Sequence, residues 1–155
     1  MAERARPMPL QIAERVVELL GEIGKDETSW WTKPMNVALF TAPSDVEMAK
    51  PLILVNLVRV GTTAEPITEL TMHGDFVELN IHFIADAGAD PHGVLHEGAA
   101  DIRRCIRQNH TVGDLAITLW DSGYDPGIES KLGGAGMVEA VVHTRALYST
   151  DEENP

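Results

Sequence analysis

Between Pro9 and Gly24 the apolar residues Ile12, Val16, Leu19, Leu20 and Ile23 recur at helical spacing, and Glu14, Arg15, Glu18 and Glu22 fill the rest of the wheel. Pro9 stands where a first-turn proline would, and Gly21 and Gly24 are stop signals. The pattern predicts an amphipathic helix whose apolar stripe needs a partner layer, most simply a sheet. Asn36 to Phe40 reads as a short strand, and Thr41 to Pro51 as a loop rich in turn formers. Leu52 to Val60 is rich in β-branched residues and apolar at both odd and even positions. Such a strand belongs in the middle of a sheet or against a neighbouring subunit. Gly61 to Asp75 reads as an extended hairpin arm. Asp75 to Asp86 then alternates, with Val77, Leu79, Ile81 and Phe83 on one side and Glu78, Asn80 and His82 on the other.

A second helix opens at Asp90 and Pro91, an N-cap followed by a first-turn proline. Leu95, Ala99, Ile102 and Ile106 form its stripe. Arg103, Arg104 and Arg107 face outward near the end where positive charge complements the helix dipole. After a turn at His110–Ala116, Ile117 to Trp120 reads as a strand and Asp121 to Gly136 as a glycine-rich connection. Met137 to Thr150 alternates again, with Val138, Ala140, Val142, Ala146 and Tyr148 on one face. Residues 151–155 are charged and expected to fray. The order predicts an α+β fold, a mixed or mainly antiparallel β-sheet with two α-helices packed on one face, in a single domain spanning 1–155.

Composition narrows the function classes. The chain has 155 residues, 44% of them hydrophobic, enough for one ordinary core. Its 24 acidic residues outweigh 12 basic ones, for a formal charge of −12. Residues 51–100 hold a single basic residue against seven acidic ones. A surface that grips nucleic acid needs clustered Lys and Arg, so specific DNA or RNA binding is not expected. No apolar run approaches a membrane span, and the N-terminal residues do not read as a secretory signal. Cys105 is the sole cysteine, which excludes an internal disulfide and points to a reducing compartment.

Candidate chemistry is sparse. His92 and His96 have i, i+4 spacing on a helix with Glu97 adjacent, but the residues between them lack the glutamate of a metalloprotease helix. A pair of solvated histidines is the plainer reading; a small acidic metal-dependent enzyme using His92 and His96 is the alternative. Cys105 lies among arginines that could lower its pKa, yet no base is placed beside it, so it reads as a half-buried filler. Lys131 to Met137 is glycine-rich but leads into a strand, unlike a phosphate cradle. Trp30 and Trp31 are consecutive and cannot both point into one core from an extended segment. Either one covers the helix layer while its neighbour is merely exposed, or the outer one anchors an interface. No cofactor and no catalytic residue is predicted.

The C-terminal half resembles the tail terminator, or tail-completion, proteins of tailed bacteriophages and their relatives in prophages and gene-transfer particles. The carrying residues are the strand ending in Asp86, the helix from Ala99 to Asn109, and the turn after it, where Thr111, Val112, Gly113 and Leu115 match the family's pattern and Asn109, His110 and Asp114 depart from it. A short strand, a glycine-rich connection and a closing strand ending at Tyr148 complete the likeness. The resemblance implies a non-enzymatic virion protein, assembled in the host cytoplasm. It would form a homo-oligomeric ring, a hexamer, at the head-proximal end of the tail. There it would end tube polymerisation and join the tail to the head-side connector or stopper, in contact with the tail tube protein and a sheath protein. DNA would pass the bore without specific binding, and the acidic residues of 51–100 could line that wall. Interface candidates are Trp30, Trp31, Asp45, Glu47, Glu65, Glu69, Arg103, Arg104 and Arg107. A monomeric module docking a partner through Trp30 and Trp31 is a third reading.

Overall fold

The structure is a computed structural model, and it describes residues 6–26, 29–62, 73–130 and 132–150. The elements run α1 (Met8–Leu20), β1 (Asn36–Leu39), a 3₁₀ turn (Pro43–Glu47), β2 (Leu52–Thr62), β3 (His73–Asp86), α2 (Pro91–Gln108), β4 (Thr118–Gly127) and β5 (Met137–Thr150). The five strands make one sheet in the order β1-β2-β3-β5-β4. β1 lies parallel to β2, and every other neighbouring pair is antiparallel. The α+β expectation with a mixed sheet therefore holds.

Both helices cover the same face. Ile12, Ala13, Val16 and Leu20 of α1 and Leu95, Ala99, Ile102 and Ile106 of α2 share one buried cluster with Ile53, Val55, Leu79, Ile81, Phe83, Val138, Ala140 and Val142. These strand residues are the odd positions of β2 and β3 and the even positions of β5, the period of two that sends alternate side chains to one face. Pro9 falls at the second position of α1 rather than the first, where its missing N–H still costs no helical hydrogen bond. Asp90 caps α2 as expected, its Oδ1 accepting from Gly93 N at 3.0 Å. α2 lies so close to the sheet that a Cβ on Gly98 would stand 2.3 Å from Cε1 of Phe83.

β2 is apolar on both faces because it has a second cover. Leu52 and Leu54 point away from the helices and join Ile84 in a small separate core, onto which Val46 and Met48 of the Thr41–Pro51 segment fold. That segment contains the 3₁₀ turn, held by the Asp45 carboxylate, which accepts from Thr41 N at 2.7 Å and Ala42 N at 3.1 Å. These backbone hydrogen bonds hold the Asp45 carboxyl below its ordinary value.

Two expectations need adjusting. β4 does not end at Trp120. It continues through Asp121–Gly127, where a glycine-rich connection was expected, and pairs with β5 as far as Gly127 opposite Glu139, with a bulge between Asp121 and Gly123. The long β5 offers a template that outweighs the local turn residues, and Pro126 is tolerated because β4 is an edge strand. The hairpin arm is seen only at its base, where Gly61 and Thr62 face Phe76 and Asp75; residues 63–72, with Glu65 and Glu69, lie outside the described residues.

The turn after α2 is a left-handed run, with φ of 51° at Val112, 61° at Gly113 and 67° at Asp114. A β-branched residue seldom adopts that conformation, and here Val112 is wholly buried in the main core. Among the described residues no helix is long and apolar enough to cross a membrane.

Replacing Gly98 by Ala should overpack the contact with Phe83 and cost about 1–3 kcal/mol. Denaturant unfolding of Gly98→Ala against the parent measures this, and equal stability would mean that the helix sits farther from the sheet than described.

Candidate functional site

The Trp30–Trp31 segment and the arginines of α2 are some 70 residues apart in sequence and adjacent in space. Their meeting depends on Asp101, an α2 residue with no solvent exposure. Its Oδ1 accepts from Trp31 N at 3.3 Å, and its Oδ2 accepts from Thr32 N at 2.7 Å and from Thr32 Oγ1 at 2.6 Å. A buried carboxylate is tolerated only when its oxygens are satisfied, and here three donors do so. From the other side Gly24 lets the chain approach closely. Its φ is +85°, and a Cβ there would stand 2.8 Å from Lys33 Cα.

With the segment so held, the two indoles part as an extended chain requires. Trp30 is half-buried against the main core. The Arg104 guanidinium lies over its ring, 5.1 Å from the centroid, and also donates to the Ser29 carbonyl. Trp31 points outward and is 65% exposed. It shares a shallow depression of about 400 Å³ with Arg103, Arg104 and Arg107. Arg103 and Arg107 converge on one carboxylate, Asp121 of β4, at 2.6 Å and 3.2 Å, and that side chain is almost wholly buried. Arg103 also stacks on Tyr124. Two guanidiniums thus share one acidic side chain and a third lies over Trp30, which leaves a positive, aromatic patch on a chain of formal charge −12.

The remaining candidates lie elsewhere. Asp45 and Glu47 stand on the turn that covers the opposite face of the sheet, and Asp45 is engaged by its own backbone. The described acidic residues of 51–100 do not share a face: Glu78 pairs with Arg145 on the open side of the sheet, Asp90 caps α2, and Glu97 is on α2. His92 and His96 stack with ring centroids 6.4 Å apart, and His96 Nδ1 meets the Tyr124 hydroxyl. Among the described residues no group of three or more His, Cys, Asp or Glu side chains is placed to hold a metal ion. The arginines do not activate Cys105. Its side chain faces the core, where burial, the largest effect, pushes the thiol up to about 11 despite a hydrogen bond from Asn109.

The open face of the sheet carries polar pairs that sequence reasoning missed. His82 Nδ1 lies 3.1 Å from Glu139 Oε2, with both side chains largely buried. His143 bridges Asn80 Oδ1 at 2.9 Å and Asp125 Oδ2 at 2.7 Å. These pairs depend on cross-strand register, Asn80 opposite His143 and Ile84 opposite Glu139, which no local pattern shows. Asp101 did leave a signal. Gly98, Asp101, Ile102 and Cys105 follow helical spacing beside the stripe, and all four are buried.

No protein-family model and no curated protein matches the chain. Among solved structures it is similar to a chain described as "Virion of native gene transfer agent (GTA) particle", at 14% identity, covering 93% of this chain and 96% of that one, with a TM-score of 0.43.

Two outcomes follow from this geometry. Replacing Asp101 by Asn should lower stability by about 2 kcal/mol and loosen the Trp30 environment, because an amide nitrogen then faces backbone donors; denaturation combined with near-ultraviolet circular dichroism measures both. Cys105 should resist thiol reagents at pH 8 in the folded protein and react once urea unfolds it. Rapid labelling of the native state would contradict the burial of its side chain.

Proposed function

We propose that this chain is a structural component of a phage-like virion, a ring-forming tail terminator. In this reading it is a homohexamer at the head-proximal end of the tail. It ends polymerisation of the tail tube and joins the tail to the head-side connector or stopper, beside a sheath protein where the tail has one. It acts through surfaces and not as an enzyme. The observation that carries the reading is the patch of Trp31, Arg103, Arg104 and Arg107, an exposed indole whose backbone is fixed by a buried carboxylate. Exposed, rigidly held Trp and Arg are the residue types that dominate protein interfaces. The order of elements fits the family that the sequence resembles. The excess of negative charge suits a bore through which DNA passes without being held.

Native mass spectrometry or analytical ultracentrifugation of the purified chain at micromolar concentrations should show a closed ring at six times the 16.9 kDa protomer mass. The particle should also bind assembled tail tubes at one end. A chain that stays monomeric, alone and with tubes, would overturn the reading.

A further inference from the structure

A closed ring of identical copies requires two different surfaces on each protomer, one to offer and one to receive. The fold has two such surfaces on opposite layers. The helix layer presents Trp31 among Arg103, Arg104 and Arg107, with Asp121 as the carboxylate shared by two of them. The other layer is the open face of the sheet. It bears a depression of about 370 Å³ whose described lining includes Asp125, Glu129 and Glu139, with Leu132 and Val141 as apolar ground. His82 in that lining is engaged by Glu139, and no lysine or arginine is among the described lining residues.

We infer that the Trp31–arginine patch of one copy seats on the acidic depression of the next copy's open sheet face. This rests on the ring reading above and names the surfaces that would close it. Three features support it. The two surfaces are opposite in charge, and each combines charge with apolar area, an exposed Trp31 on one side and Leu132, 37% exposed, on the other. They lie on opposite sides of one sheet, so contact between them is necessarily contact between copies. Copies of formal charge −12 repel one another at a distance, so close association must use the place where the local sign is reversed. Of the twelve basic residues, three fall within the five positions Arg103 to Arg107.

The test is a charge exchange read by sedimentation of the full chain. Arg104→Glu and Glu129→Arg each place like charges in contact and should weaken association by about tenfold or more. Both residues are exposed; Arg104→Glu also removes the contacts with Trp30 and the Ser29 carbonyl, so a thermal melt of each variant checks that it is folded at the assay temperature, and recovery in the double variant separates docking from a local defect. The two reversals in one chain restore opposite signs at each contact and should recover most of the lost assembly. Trp31→Ala should weaken association by about tenfold without altering its salt dependence. If the parent forms rings and either single reversal assembles as well as the parent, or the double variant is no better than the singles, this docking is wrong while the ring reading stands. A parent that stays monomeric in the same assay removes both.

Discussion

The carboxylate of Asp101 fixes what the helix layer presents to its surroundings. It is buried on α2, and it is occupied by the Trp31 and Thr32 backbone and the Thr32 hydroxyl. Without it the segment after α1 would lose three of its hydrogen bonds to α2 and keep the one from Arg104 to the Ser29 carbonyl. Arg104 could not lie over Trp30, and Trp31 would not stand beside the arginines. One ionisable group set into the buried face of α2 thus turns a connecting segment into part of a surface. The cost of burying the charge is offset locally by its three hydrogen bonds, so the arrangement is rigid as well as exposed.

Asp121 does for β4 what Asp101 does for the early segment. It draws the Nε atoms of Arg103 and Arg107 toward the sheet edge. The sheet is covered unequally. One face is closed by both helices over a continuous apolar cluster. Among the described residues the other is closed at one end only, where Val46 and Met48 fold onto Leu52, Leu54 and Ile84. The rest of that face carries paired polar groups, among them His82 with Glu139 and His143 with Asp125.

Much of the architecture was legible in the chain because periodicity reports burial directly. The stripe of Ile12, Val16 and Leu20, the alternation of Val77 to Phe83 and the cap at Asp90 each follow from local geometry, and all stand where the pattern placed them. The doubled hydrophobicity of Leu52 to Val60 signalled covers on both faces; the second is the chain's own Val46 and Met48 over Leu52 and Leu54, whereas Val58 and Val60 stand exposed. β4 was underestimated because Gly123, Pro126 and Gly127 are turn residues by themselves and become edge-strand residues only against β5. Cys105 reads from the sequence as a half-buried filler despite the arginines near it, and the helix, which turns successive side chains to different sides, does turn the sulfur inward.

The sequence by itself determined the layers: two amphipathic helices, alternating strands, an acidic excess and two neighbouring indoles that must point apart. Each of these is set by spacing along a few residues, where backbone geometry leaves little choice. Only the tertiary structure decided which distant residues share a surface. Trp31 meets Arg103 to Arg107 through Asp101, and His82 meets Glu139 through the register of β3 on β5. Such meetings depend on which turn of a helix faces which strand. That choice is made by packing across the whole core and leaves no periodic trace at either end.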